Sequence, residues 1–185
     1  MATTTTISQV GEFPLISSIV RDLPMSQAVT LGPGDDGAVF QVDGSVVVST
    51  DVLVEEVHFR RRWSTATDVG RKAVAVNVSD IEAMGAVPVA LVVGFSAPGD
   101  LPASWAREFM AGMAAEAEQA GVSVVGGDTT AGPVISIAVT VIGQTAGMAP
   151  VRRDGAVPGD EVAVVGQLGL AAAGLVLLGR GFRSP

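Results

Sequence analysis

The stretch VVVSTDVLV, residues 46–54, has the β-branched composition and the alternation that predict a strand. Alternate side chains of a strand lie on opposite faces. One face is therefore predicted to carry Val47, Ser49, Asp51 and Leu53, and the other Val48, Thr50 and Val52. A carboxylate in such an apolar stretch is costly to bury unless it is paired or binds a metal. Asp51 and Ser49 are thus candidates to converge on one cation, whereas Thr50 would contribute only its carbonyl; a plain Asp at a hairpin corner is the alternative.

The segments around this strand predict a mixed order of helices and strands. Helices are expected at 11–24, 65–84 and 104–121, and strands at 37–42, 87–95, 122–127 and 133–145. The Asp43-Gly44 pair predicts a hairpin between the strand at 37–42 and the strand at 46–54. Hairpins that precede the helical segments favour an α+β fold, with a mixed or antiparallel sheet packed by helices, over a doubly wound parallel sheet.

A domain boundary is predicted near residues 147–160, where GMAPVRRDGAVPGD concentrates turn-forming residues. We assign residues 1–148 to an N-terminal domain and 149–185 to a linker followed by the start of a second α/β domain. Within the latter, VAVVG (162–166) predicts a strand and LAAAGLVLL (170–178) a helix. The apolar run from Val162 to Gly179 has the minimum length of a membrane span, but its glycines favour the strand, turn and helix.

Composition excludes several classes of protein. The net charge of −8 argues against nucleic acid or an anionic membrane as a partner. The chain has no cysteine, which excludes disulfides and thiolate chemistry, and its N-terminal sequence lacks the pattern of a signal peptide, so we expect a cytoplasmic protein. Lys72 is the single lysine, and no GxxxxGK[ST] motif occurs. Phosphate chemistry would therefore depend on carboxylate-bound Mg²⁺.

Three further segments carry candidate ligands. Asp80 lies in the predicted helix 65–84, on the same stripe as Val69, Ala73, Val76 and Met84, so it is expected on the apolar face. A bound cation explains such a charge better than an ordinary Asp near a helix C-terminus does. Asp128 follows the predicted strand VSVVGG, and Asp36 lies in GPGDDG; for both, a simple turn remains the alternative.

The only histidine is His58, in EEVHFRRRW. A lone histidine is more often structural than functional, and the three arginines that follow are equally typical of a solvated loop.

Taken together, six segments resemble the thiamine-monophosphate kinase family in the same order: GEFPLI, GPGDDGAV, STDVLVEEVHF, NVSDIEAMGA, GGDTTAGP and RRDGAVPGDEVAVVG. This family belongs to the superfamily of aminoimidazole ribonucleotide synthetase, selenophosphate synthetase and the hydrogenase-maturation dehydratase. The resemblance covers about residues 11–179. It implies a phosphotransferase that moves the γ-phosphate of ATP onto thiamine monophosphate, without a nucleophilic side chain.

The resemblance also implies roles for individual residues. Ligands of several Mg²⁺ ions are expected at Asp36, Ser49, Thr50, Asp51, Asp80 and Asp128. ATP contacts are expected at Gly127, Asp128 and Arg153, and a substrate contact at His58. A homodimer is implied as well, in which the N-terminal sheets of two chains pair into a β-barrel.

The chain departs from the family pattern because the DLSDGL-like and GGEDYE-like segments of the second domain do not occur in it. Two alternatives therefore stay open. One is a non-catalytic half-enzyme that binds nucleotide or dimerises, and the other is another ATP-dependent synthetase of the same superfamily.

Overall fold

The computed structural model describes residues 5–182. The elements in chain order are α1 (Ile7–Val10), α2 (Glu12–Val20), β1 (Val29–Leu31), β2 (Val39–Phe40), β3 (Val46–Val54), α3 (Ala66–Ala83), β4 (Val87–Ala97), α4 (Ala103–Ala120), β5 (Ser123–Ala131), β6 (Ser136–Gln144) and α5 (Leu170–Gly179). The chain divides into two compact units between Val151 and Arg152.

The first unit is built on a four-stranded sheet with the strand order β3-β6-β4-β5. Strands β4 and β5 are parallel and are connected through α4, whereas β6 is antiparallel to both β3 and β4. A separate two-stranded sheet is formed by β1 and β2. This mixed sheet confirms the predicted α+β class; within residues 5–182 the sheet does not close into a barrel.

Both long helices were predicted correctly. Helix α3 begins after Thr65, whose hydroxyl accepts a hydrogen bond from the Asp68 amide at 3.2 Å, while Asp68 accepts one from the Thr65 amide at 3.0 Å. This reciprocal capping box satisfies two amides that the helix itself leaves free. Helix α4 ends at Gly121, which adopts a left-handed conformation at φ 68° and allows the chain to turn into β5.

Helices α3 and α4 pack closely because glycines stand at their crossing. A Cβ atom on Gly70 would overlap the carbonyl oxygen of Phe109, and one on Gly112 would overlap that of Thr67. The two backbones therefore approach more closely than helices with larger residues at the crossing would allow.

The hydrophobic core lies between these helices and one face of the sheet. Ile137, Val139 and Val141 of β6 point into it and are fully buried. Phe59, Phe95, Trp105 and Phe109 form a run of stacked rings with centroid separations of 5.7–6.3 Å. The register of β3 with β6 places Leu53, Asp51 and Ser49 on this same helix-facing side.

Three local predictions were wrong. The strand at 37–42 does not form a hairpin with β3; instead β2 pairs with β1, while β3 pairs with β6. The turn at Gly44 is present, but the backbone of Asp43 bonds to Gln144 and Ala146, which brings β3 to β6 rather than back to β2.

The second error concerns GGDTT, predicted to follow the end of a strand. Strand β5 continues through it to Ala131, because β4 extends to Ala97 and supplies pairing partners along the whole stretch. The third concerns VAVVG at 162–166, which forms no strand in the described part of the chain. A strand requires a pairing partner, and none is provided there.

The second unit contains turns and α5, which confirms the predicted helix at 170–178. No described residue from 152 onward is buried. Over residues 5–182, no helix is long and apolar enough to cross a membrane, so the span considered for Val162–Gly179 does not form.

Candidate functional site

The predicted ligands on β3 and α3 meet directly. The Ser49 hydroxyl donates a hydrogen bond of 2.7 Å to Oδ2 of Asp80, which joins the strand to the last turn of α3. Asp51 lies two residues further along the same face of β3. An oxygen-rich group with two carboxylates therefore stands where β3 and α3 come together.

Asp80 is exposed, which differs from its predicted position on the buried stripe of α3. The stripe is buried at Val69 and Ala73, but its C-terminal end reaches the edge of the sheet, where β3 is the last strand. Asn77, one turn earlier, is fully buried instead. Its amide nitrogen donates to the Ala73 carbonyl at 2.8 Å, whereas its Oδ1 has no hydrogen-bond partner among the described residues.

Thr50 points to the opposite face of β3. Its hydroxyl donates to the Val139 carbonyl at 3.0 Å and is paired with the Thr140 hydroxyl at 3.2 Å. Its side chain is therefore occupied by the sheet, as strand alternation predicted.

Asp36 and Asp128 belong to a second group, which lines a cavity of about 640 Å³ in the first unit. The cavity is bordered by α2, by the loop at 33–38, by α4 and by the middle of β4 and β5. Its walls are mostly apolar, and its charged lining consists of Asp35, Asp36 and Asp128. The Asp36 amide donates to Oδ1 of Asp35 at 2.8 Å, which fixes the turn that carries both acids.

The requirement for glycine at Gly127 has a structural cause. A Cβ atom at this position would overlap the carbonyl oxygen of Val93 on the neighbouring strand, whereas the space beside Gly126 is open. Close strand packing therefore explains Gly127, while Gly126 leaves room at the cavity wall.

His58 lies in a tight turn at the end of β3. Its Nδ1 accepts a hydrogen bond of 3.0 Å from the Val54 amide. The Lys72 ammonium group, on α3, donates to the His58 carbonyl at 2.6 Å. The imidazole is exposed.

The remaining predicted ATP contact, Arg153, lies in the second unit and is exposed. Within residues 5–182, no three Asp, Glu or His side chains are close enough to hold one metal ion. The structure thus brings the predicted ligands together as two separate groups, Ser49–Asp51–Asp80 and Asp36–Asp128.

Two features of the candidate site were not predicted from the sequence. Lys72 contacts the turn of His58, and its being the single lysine of the chain is the sequence signal that points to it. The apolar side of α2, including Phe13 and Ile16, lines the cavity. The sequence predicted a helix at 11–24 but not which surface that helix would cover.

Comparison with known proteins decides the family. Residues 34–145 match the family described as AIR synthase related protein, N-terminal domain. The chain belongs to this AIR synthase related family. The matched range contains both groups of predicted ligands.

Several relatives of this chain are named thiamine-monophosphate kinase. The chain is 50% identical over 173 residues to a thiamine-monophosphate kinase of Mycobacterium tuberculosis. The aligned region covers 93% of this chain and 52% of that protein. The chain therefore spans about half the length of the curated relatives it matches.

Solved structures agree with this fold. The chain is similar to the crystal structure of thiamine-monophosphate kinase from Stenotrophomonas maltophilia, with a TM-score of 0.76 and 37% identity over 90% of this chain and 51% of that one. A structure described as AaThiL complexed with AMPPCP and TMP matches with a TM-score of 0.71 and 32% identity, over 100% of this chain and 57% of that one.

Proposed function

We propose that the chain is the N-terminal, ATP- and Mg²⁺-binding half of a thiamine-monophosphate kinase. The observation that carries the proposal is the 50% identity over 93% of the chain to a relative of that name. In the proposed reaction, a phosphate oxygen of thiamine monophosphate bonds to the γ-phosphorus of ATP. The bond from that phosphorus to the β–γ bridging oxygen breaks, and ADP leaves with thiamine diphosphate as the product.

The lining of the cavity supports a nucleotide that is bound through a cation. None of its described lining residues is Lys, Arg or His, so the protein supplies carboxylates rather than positive charge there. A polyphosphate beside Asp36 and Asp128 would be repelled unless a cation lay between them. The apolar walls formed by α2 and α4 offer a surface for the uncharged part of a ligand.

The donor atoms suit Mg²⁺, which prefers oxygen ligands. It commonly takes one or two carboxylates and completes its shell with water and substrate phosphate. The two groups described above have this composition, with Asp80 and Asp51 beside Ser49, and Asp36 with Asp128. Bound there, Mg²⁺ would neutralise charge on the transferred phosphoryl group. Thr50 would contribute through its carbonyl, because its hydroxyl is engaged in the sheet.

The open face of the sheet supports a homodimer. Val46, Val48 and Val52 of β3 are 53%, 60% and 43% exposed, and they lie side by side on the face away from the helices. Apolar strand surface of this kind needs a cover. We propose that a second copy covers it, so that two sheets pair into a barrel.

The remaining assignments rest on the sequence. We keep residues 1–148 as the nucleotide-binding and dimerisation domain and 149–185 as the start of a second domain. Arg153 is assigned to the ATP phosphates and His58 to the substrate. We also propose a cytoplasmic location, as expected from the sequence.

The test is to incubate the purified chain with Mg²⁺, ATP and thiamine monophosphate and to measure thiamine diphosphate. In parallel, ATP binding is measured by calorimetry with and without Mg²⁺. We expect Mg²⁺-dependent binding that Asp80→Asn weakens by about tenfold or more, since the substitution removes the negative charge of a proposed Mg²⁺ ligand and about 1.4 kcal/mol corresponds to a factor of ten. Asp100→Asn, an exposed acid outside both ligand groups, is the matched control.

The outcomes separate the candidates. Product formation supports an active kinase. Mg²⁺-dependent binding without product favours the half-enzyme. Failure to bind ATP at saturating Mg²⁺ would contradict the metal assignment itself.

A further inference from the structure

The turn that carries His58 determines which ring nitrogen holds the proton. The Val54 amide, a backbone N–H and thus only a donor, bonds to Nδ1 of His58 at 3.0 Å. Nδ1 must therefore present a lone pair, and a neutral imidazole bonded in this way carries its proton on Nε2. Nε2 has no hydrogen-bond partner within the described residues, and the side chain is exposed.

Lys72 holds this turn from the neighbouring helix. Its ammonium group donates to the His58 carbonyl at 2.6 Å, across the gap between α3 and the end of β3. The next residue, Phe59, is buried and stacks on Trp105 at 6.3 Å. The backbone of His58 is therefore fixed on one side by a charged donor and on the other by the aromatic core.

Ion pairs brace the same turn. Arg62 bonds to both carboxylate oxygens of Glu56, at 2.8 and 3.0 Å, and Arg61 pairs with Glu55. Glu56 has φ 65°, a left-handed conformation that is unusual for a residue with a side chain. Such a conformation persists where the surroundings hold it, as these contacts do.

The surroundings of His58 favour an anion. Three arginines pair with two carboxylates, since Arg60 and Arg62 bond to Glu56 and Arg61 bonds to Glu55; the ammonium group of Lys72 is a fourth positive charge on this turn. This local excess of positive charge occurs in a chain whose net charge is −8. A phosphate oxygen is the acceptor that such a site would attract.

We propose that Lys72 is a positioning residue that holds His58 as the Nε2–H tautomer, so that Nε2 donates a hydrogen bond to a phosphate oxygen of the acceptor substrate. The phosphate part of this inference rests on the proposed function, whereas the tautomer part does not.

The tautomer is tested by nitrogen-15 NMR of the imidazole ring in the full chain. Because His58 is the only histidine, its ring gives one unambiguous set of signals. At mildly alkaline pH we expect Nδ1 to show the shift of an unprotonated acceptor and Nε2 that of a protonated nitrogen. A ring that is protonated on Nδ1, or that averages both tautomers, would overturn the proposal.

Three variants test Lys72. Lys72→Met removes the donor and is expected to give averaged ring shifts, while Lys72→Arg retains a donor and restores the single tautomer. Arg71→Met makes the same change of charge at the exposed neighbouring position and should leave the ring unchanged. Backbone amide spectra show whether each variant is folded. If Lys72→Met does not fold, Lys72→Gln serves instead, and wild-type ring shifts in a folded variant without the ammonium group contradict the role of Lys72.

The ligand is tested by titrating inorganic phosphate and then thiamine monophosphate while the Nε2 signal is followed. We expect both to shift Nε2 in the wild type, with binding about tenfold weaker in Lys72→Met, as loss of about 1.4 kcal/mol would give. If neither ligand shifts the Nε2 signal, the proposed hydrogen bond from Nε2 to a phosphate oxygen is wrong. A shift with phosphate but not with thiamine monophosphate supports the anion site and contradicts the substrate assignment in the proposed function.

Discussion

On one face of the four-stranded sheet, Ile137, Val139 and Val141 are fully buried beneath α3 and α4, whereas on the other face Val48 is 60% exposed and Val52 43%. The side chains on the two faces are chemically alike and come from the same two paired strands, β3 and β6. They differ only in what covers them. The helix-covered face is completed within this chain. On the other face, β1 and β2 pack against the buried Ala90 and Val125 of β4 and β5. The part formed by β3 keeps an apolar surface that a second molecule must cover if it is to be buried.

The comparison also separates the two groups of candidate ligands. Ser49 and Asp51 lie on the helix-facing side of β3, at the edge where α3 no longer covers it. Asp128 pairs in register with Gly94 and so lies on the open side of the sheet. Ser49 and Asp128 therefore lie on strands at opposite edges of the sheet, β3 and β5.

The largest effect is expected from a charge on the open face. If a second chain covers this surface, Val48→Lys buries an unpaired ammonium group and should weaken self-association by about 3 kcal/mol or more. The stability of the monomer should change by no more than about 0.5 kcal/mol, since the position is exposed in the single chain. Sedimentation velocity measures the association and urea unfolding the stability.

Val157→Lys, at an exposed valine of the second unit, is the control for added charge. A wild-type chain that stays monomeric at high concentration, or a Val48→Lys variant that still dimerises, would refute the pairing of open faces.

A smaller effect distinguishes the faces within one molecule. Ile137→Ala leaves a cavity beneath the helices and should lower the free energy of unfolding by about 2–5 kcal/mol. Val48→Ala, measured at a concentration too low for association, should change it by no more than about 0.5 kcal/mol. Equal losses from the two substitutions would mean that the open face is already covered in the single chain.

The close approach of the covering helices is tested next. Gly112→Ala introduces a methyl group where the Thr67 carbonyl oxygen lies, so α3 and α4 must separate. We expect a loss of about 1–3 kcal/mol in thermal or urea unfolding. Gly126→Ala places the same methyl group in open space and should be nearly neutral. A stable Gly112→Ala protein would show that this helix pair is packed more loosely than described.

The smallest effect concerns the start of α3, the helix that carries Asp80. Thr65→Ala removes the capping hydroxyl and should cost about 1 kcal/mol of stability. Ser104→Ala, at an exposed position in the first turn of α4, should change stability by a few tenths of a kcal/mol at most. A loss in Thr65→Ala no greater than in this control would contradict the role of the capping box.

The sequence predicted elements whose signals are local. Helices α3 and α4 are bounded by Thr65 and Gly121, and cap residues act within one turn of the helix they delimit. The alternation along β3 correctly placed Ser49 and Asp51 on one face and Thr50 on the other. These predictions needed only the geometry of a single element.

Pairing could not be predicted in the same way. The Asp43-Gly44 turn is typical of a hairpin, yet β3 pairs with β6, about ninety residues later in the chain. The choice depends on which strands bury their apolar faces together beneath the helices, and no local motif records that. The same reason explains why Asp128 was placed after a strand, when β4 in fact extends β5 past it.

The sequence by itself therefore determined the α+β class, the two long helices and the acidic residues that a phosphate site would need. Only the tertiary structure decided that these acids form two groups, that Asp80 is exposed beside Ser49, and that Lys72 reaches the turn of His58. The physical reason is the separation along the chain over which each interaction acts. Helix caps and strand alternation act within a few residues, whereas strand pairing and helix docking bring together residues that are far apart in the chain.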